Sequence, residues 1–186
     1  MSIDNIKATL VEASESKAKF VEQAEKILQI SETLKKCIEA GGTIYACGNG
    51  GSACDAMHFV EECVARYSKE RPGIRAQHLM DPGTITCWSN DYEFASIFER
   101  QAETHLETKD ALIVFSTSGS SENILRGLKA ANDKGAQTIA FLGKGGGPAK
   151  SLAKLSLVVE SDNTARIQEA HITAVHAIVE ELEAEF

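Results

Sequence analysis

Apolar side chains along the first forty residues return at intervals of three and four. Ile6, Leu10, Phe20, Ala24, Ile27, Leu28, Leu34 and Ile38 keep that rhythm, with charged residues between them. This is the period of an amphipathic helix, so residues 3–40 are predicted helical. Ser31, with Leu34 and Lys35 after it, marks a place where a second helix can start. Gly41-Gly42 ends the segment as a C-terminal cap does. From Thr43 the rhythm changes, and short apolar runs alternate with helical stretches. Strands are predicted over 43–47, 74–79, 111–115, 137–142 and 155–160. Helices are predicted over 52–66, 92–106, 122–134 and 165–183, with a short one after the turn Lys144-Gly-Gly-Gly-Pro148. Arg71-Pro72-Gly73 and Asp81-Pro82-Gly83 read as turns, and 84–88 as a short mixed run. The run Ala111-Leu-Ile-Val-Phe115 is continuously apolar, as a strand buried on both faces should be. Repeated strand–helix units predict an α/β fold, a three-layer doubly wound parallel sheet with helices on both faces. Repeats, low-complexity tracts and linkers are absent from the 186 residues, so 1–186 reads as one domain with a long N-terminal helical segment.

Charge narrows the partners. With 27 acidic and 19 basic side chains the net charge is −8. An acidic chain with no basic block is a poor match to nucleic acid or an anionic membrane, so a bound anion needs a local seat. Cys37, Cys47, Cys54, Cys63 and Cys87 are odd in number and contain no Cys-x-x-Cys pair. Reduced thiols in a cytoplasm fit better than a disulfide framework or a zinc ribbon. The N-terminus lacks a basic-then-apolar signal, and no apolar run approaches the roughly 20 residues of a membrane span.

Candidate chemistry gathers at two turns. The first is Cys47-Gly-Asn-Gly-Gly-Ser52, between a predicted strand and a predicted helix. Gly48, Gly50 and Gly51 let the backbone turn sharply and leave room for a ligand. Ser52 is placed to cap the helix, with Asp55 three residues on. Free N–H groups at such a helix start can seat a phosphate. One turn further, His58 and Glu62 are four apart and share a helix face, a possible metal or acid/base pair. Glu61 is not separated from Glu62 by this periodicity. The second turn, Ser116-Thr-Ser-Gly-Ser-Ser121, follows the clearest strand, where open α/β sheets bind ligands. Its hydroxyls and N–H groups can surround a phosphate without a lysine. Neither turn matches Gly-x-x-x-x-Gly-Lys-Ser/Thr or Gly-x-Gly-x-x-Gly, which favours a small phosphorylated molecule over a nucleotide. In the last helix, Gln168, His171 and His176 lie among apolar residues, and spacing does not choose between them. The plainer reading of each histidine is a hydrogen-bonded core or interface residue. Asn90-Asp91 stands before a predicted helix, either as its cap or as a sugar-hydroxyl ligand.

Taken together, these stretches resemble the sugar isomerase (SIS) domain, and closely its phosphoheptose isomerase branch. The likeness rests on the run from Cys47 through His58 to Glu62, on Ser89-Asn-Asp91, on the serine turn, and on Ala165-Arg-Ile-Gln-Glu-Ala-His171 through His176. The resemblance implies a flavodoxin-like SIS fold. It implies interconversion of D-sedoheptulose 7-phosphate and D-glycero-D-manno-heptose 7-phosphate, the first step toward the heptose of bacterial lipopolysaccharide. It implies a homotetramer formed in part by segment 1–40, with active sites at subunit interfaces, and a bound zinc ion (Zn2+). Carried over by motif, the zinc ligands are His58, Glu62, Gln168 and His176. The phosphate seat is Ser116, Thr117, Ser118 and Ser121, with Ser52 close by. Asn49, Gly50 and Gly51, with Asn90 and Asp91, contact the sugar, and Glu62 and His176 are the acid/base pair. The chain has Ala165 where some members have Asp. Two other readings belong to the same fold: a non-catalytic SIS regulator of the replication initiator-associating type, and an isomerase of another sugar phosphate. Such regulators lack the carboxylate in the His-Phe helix, so the presence of Glu62 and His176 favours an enzyme.

Overall fold

A computed structural model describes residues 2–184 of the chain. Five strands form one parallel sheet: β1 (Ile44–Gly48), β2 (Ala76–His78), β3 (Ala111–Ser116), β4 (Gln137–Leu142) and β5 (Leu155–Val158). Their spatial order is β2-β1-β3-β4-β5, all neighbours parallel, with Gly48 registered on Phe115 and Phe115 on Phe141. This is the doubly wound order whose connections reverse direction between β1 and β3, and the crevice at that reversal is where such sheets bind ligands.

The strands form where they do because both sheet faces are covered. Successive side chains point to opposite faces. Ile44, Ala46, Ile113, Phe115, Ile139 and Phe141 enter one core, with α2 (Ala24–Glu39), α3 (Gly51–Val64) and α8 (Thr164–Glu183). Tyr45, Cys47, Leu112, Val114, Ala140 and Leu142 enter the other. That second core is closed by α4 (Pro82–Asp91), α5 (Ile97–His105), α6 (Glu122–Asp133) and the short α7 (Ala149–Leu152). The doubly wound α/β fold predicted from periodicity is the observed one.

Three local expectations differ. The N-terminal segment breaks at a 3-10 turn over Val21–Gln23, between α1 (Ile3–Phe20) and α2, not at Ser31. Ser31 lies inside α2 and its hydroxyl donates to the Ile27 carbonyl, an internal bond open to serine anywhere in a helix. The mixed run 84–88 belongs to α4, which Asp81 caps by accepting from the Thr84 N–H at 2.7 Å, with Pro82 at its first position. The strand at 74–79 shrinks to Ala76–His78 at the sheet edge, where only one neighbour pairs it.

Candidate active site

The glycine turn leaves β1 at Gly48 and opens α3. A side chain at 48 would strike the Ser52 backbone, so the turn closes only on glycine. Gly50, at φ +57, takes the left-handed conformation and stands as the helix cap, with its carbonyl accepting from the Ala53 N–H at 3.0 Å. Ser52 is therefore not the cap. It lies buried within the first turn of α3, because the helix starts two residues earlier than the capping pattern assumes, with Gly50 as its cap. Gly51 is approached by Gln168 of α8: a Cβ there would lie 2.5 Å from Gln168 Nε2.

The serine loop leaves β3, the strand beside β1. Ser116 Oγ accepts from the Gly119 N–H at 3.1 Å, and Ser118 Oγ accepts from the Ser120 N–H at 3.3 Å. Gly119, at φ +62, packs directly on the backbone of Gly146, which only glycine permits. Ser121 begins α6 with its carbonyl, not its hydroxyl, bonded to the helix, so that hydroxyl makes no cap. Both turns thus open at the carboxyl ends of neighbouring strands and both start helices, giving two sets of free N–H groups at one crevice. An amide pair joins them: Asn49 Nδ2 donates to Asn123 Oδ1 and Asn123 Nδ2 to Asn49 Oδ1, each at 2.9 Å.

Along α3 and α8, which pack on the same sheet face, the structure brings together His58, Glu62 and His176. One ligand atom from each lies within 4.8 Å of the others. His58 Nε2 and Glu62 Oε1 are 3.1 Å apart, and the His58 and His176 rings meet edge-on at 5.2 Å. Glu62 is largely enclosed, whereas Glu61 is exposed, which resolves the ambiguity that periodicity left. Gln168 stands at the Gly51 end of this seam, eight residues and about 12 Å of helix rise before His176. Asp55, one turn before His58, has its carboxyl pushed up to about 6 by burial, against the pull of His58. His171 is no part of the cluster. It is fully buried beside the Phe115 and Phe141 rings, with Nε2 3.1 Å from the Leu142 carbonyl. Burial brings its pKa down to about 4, so it stays neutral.

Asn90 and Asp91 are placed otherwise than expected. They end α4 instead of preceding a helix after a strand, because Asp81 and Pro82 start that helix early. Both are exposed, bonded to each other, and lie on the sheet face opposite α3 and α8. Three residues near the seam carried no sequence signal. Asn123 shows itself only through its pairing. Tyr67 sets its ring 5.7 Å from His176 while its hydroxyl donates to Glu180. Arg71 donates to the carbonyls of Glu62 and Cys63 at the end of α3 and pairs with Glu183 at 3.3 Å. A long-range contact made by one side chain leaves no period to read. Two clefts, of about 400 Å³ between α1 and the β5 side and about 540 Å³ beside Trp88 and Arg126, are lined by none of the predicted site residues. Within one chain the His58 side chain at the seam is 40% exposed.

A parallel sheet of this order with a phosphate-type crevice at its switch point defines a class, and the SIS domain family model matches residues 10–143. The phosphoheptose isomerase of Citrifermentans bemidjiense is 49% identical over 139 residues, 74% of this chain and 72% of that protein. The phosphoheptose isomerase of Aquifex aeolicus is 48% identical over 137 residues, covering 73% and 72%. The solved phosphoheptose isomerase of Francisella tularensis superposes with a TM-score of 0.95 at 33% identity, covering 99% of each chain. The chain belongs to the SIS-domain phosphoheptose isomerases, enzymes of the aldose–ketose type acting on sugar phosphates. No helix among the described residues is long and apolar enough to cross a membrane.

Proposed function

We propose that the chain interconverts D-sedoheptulose 7-phosphate and D-glycero-D-manno-heptose 7-phosphate through an enediol, the opening step of ADP-heptose and lipopolysaccharide core synthesis. The observation that carries this reading is the convergence of His58, Glu62 and His176 on a seam that leads from two phosphate-type turns. The phosphate sits against the N–H groups and hydroxyls of Ser116, Thr117, Ser118 and Ser121, with Ser52 behind them. Gly50, Gly51, Asn49 and Gln168 hold the sugar along the seam. Moving a proton between adjacent carbons requires a base at carbon, an acid at oxygen and support for the developing oxyanion. Glu62 takes the carbon-bound proton from one carbon and returns it to the next. His176 moves the proton between the two oxygens.

The donor set fits a zinc ion. Two imidazoles and one carboxylate, within 4.8 Å of one another, are the ligand chemistry of open catalytic zinc sites. His58, Glu62 and His176 would hold the ion, with Gln168 as a further oxygen or substrate contact. When bound, the ion supplies Lewis acidity toward the substrate oxygens. A carboxylate held by the ion would be a weaker base toward carbon. The partly exposed His58 supports sites completed by a second copy, and the exposed Ile3, Ile6 and Leu10 on α1 support a homotetramer in which segment 1–40 forms contacts.

The reading is tested by assaying a panel of ketose and aldose phosphates with metal analysis of the purified protein. It predicts turnover of sedoheptulose 7-phosphate well above that of pentose and hexose phosphates, with zinc bound. Preferred turnover of a shorter sugar phosphate overturns the substrate assignment. Absence of turnover on every member overturns the catalytic one.

A further inference from the structure

The Asn49–Asn123 pair is a polar contact across the crevice that joins a half-buried residue of the glycine turn to a buried one of α6. Asn49 sits between β1 and the left-handed Gly50, and its carbonyl accepts from the Ser52 N–H at 3.1 Å. Asn123 is the second residue of α6, two after Ser121, and is only 2% exposed. Nothing about a helix requires an asparagine there, and an unpaired amide at such a depth is costly to bury. The two amides solve this by bonding reciprocally, at 2.9 Å in both directions. Each commits one N–H and one carbonyl lone pair to the other.

We infer that Asn123 is a positioning residue: by holding the Asn49 amide it fixes the glycine turn to the serine loop, and so sets the spacing between the two helix starts that grip opposite ends of one substrate. This rests on the reading of those turns as the sugar and phosphate seats. The mechanical argument is independent of the chemistry. β1 and β3 are hydrogen-bonded up to Gly48 and Phe115, but beyond them each turn follows its own path. The amide pair ties them again just past the sheet edge. A substrate that spans both turns is bound best when their separation is set before it arrives, because ordering them on binding would subtract from affinity. Asn49 thereby acts through its backbone and its partner, and its amide plane is fixed by Asn123.

The test is a double-mutant cycle on the full-length protein with Asn49→Ala, Asn123→Ala and the pair. The dissociation constant of sedoheptulose 7-phosphate is read by calorimetry, with kcat and melting temperature alongside. Each single change is expected to weaken binding roughly ten-fold, the factor carried by about 1.4 kcal/mol. The double change should be no worse than the weaker-binding single, since both remove the same link. In Asn123→Ala, which removes the link and no sugar contact, saturated kcat should stay within about three-fold, because Glu62 and His176 stand outside the pair. Additive losses, or a lowered melting temperature with unchanged binding, overturn the inference. Non-additive binding without any turnover leaves it standing and overturns the isomerase reading instead. If Asn123→Ala does not fold, Asn123→Ser takes its place, since it is neutral, removes the amide that bonds Asn49 in both directions, and is read in the same way.

Discussion

The two longest helices of the chain are built to opposite plans. α8 runs over 20 residues and buries ten of them, including Ile167, His171, Val175, Ile178 and Leu182. α1 runs over 18 and buries Phe20 alone, leaving Ile3, Ile6 and Leu10 more than half exposed. Apolar content does not separate them, since both carry apolar residues at helical spacing. Location does. α8 lies in the groove between α2 and α3 against the sheet, so its polar residues either find partners or are placed for chemistry. α1 meets the start of α8, where Arg166 donates to the Thr9 carbonyl at 3.0 Å and Asn163 to Glu12 at 3.3 Å, and enters the core only at its end through Phe20. α8 therefore keeps Gln168 and His176 half-buried within an otherwise covered helix, whereas the apolar stripe of α1 is left uncovered by this chain.

The sharpest way to separate the two helices is through their chemistry. Glu62→Gln faces α8 and keeps the size and packing of the side chain. It should lower isomerisation by roughly 10²- to 10⁴-fold while sugar-phosphate binding survives. Near-normal turnover in that variant would remove Glu62 from the mechanism. Stability comes next. Ile178 of α8 is fully buried, and Ile178→Ala should cost about 2–5 kcal/mol in denaturant unfolding. A loss below 1 kcal/mol would mean that α8 does not carry the core as described.

A third contrast is one of pH. His171 has a folded pKa near 4, below its unfolded value near 6.5, so between these the unfolded chain binds the extra proton. Its contribution to stability is complete above pH 6.5 and falls as pH drops, by about 1.4 kcal/mol per pH unit. Asp55, raised to about 6, contributes the opposite slope between pH 4 and 6. The comparison is therefore made between the parent and His171→Leu, in which the Asp55 contribution cancels. The unfolding free energy of the parent relative to the variant should fall between pH 7 and pH 5, and a pH-independent difference would contradict neutral burial of His171. The smallest effect belongs to α1. Leu10→Glu should change the unfolding free energy of the chain by no more than about 0.5 kcal/mol. It should nonetheless reduce the assembly size seen by light scattering. An unchanged assembly would show that the stripe is not an interface.

Much of this was legible in the order of residues, and the physical reason is locality. The strands at Ala111–Ser116 and Gln137–Leu142 and the helices at Glu122–Asp133 and Thr164–Glu183 appear close to where hydrophobic period and glycine punctuation put them. The glycine turn and the serine loop are continuous stretches, so both could be picked out as candidate anion seats without a fold. His58 and Glu62 share a turn of one helix, and their 3.1 Å approach follows from i, i+4 geometry. What spacing could not decide was every pairing between distant elements. Whether His171 or His176 joins His58 depends on how α8 is rotated over the sheet, and packing against Phe115 and Phe141 sets that rotation. Asn123 and Arg71 gain meaning only from partners 74 and 112 positions away, Asn49 and Glu183. Asn90 and Asp91 fell at the end of a helix because Asp81 and Pro82 started it early. The chain alone determined the parts and the local turns, since those depend on neighbours in sequence. The tertiary structure decided which parts meet, because that depends on how covered sheet faces and helix contacts balance across the whole molecule.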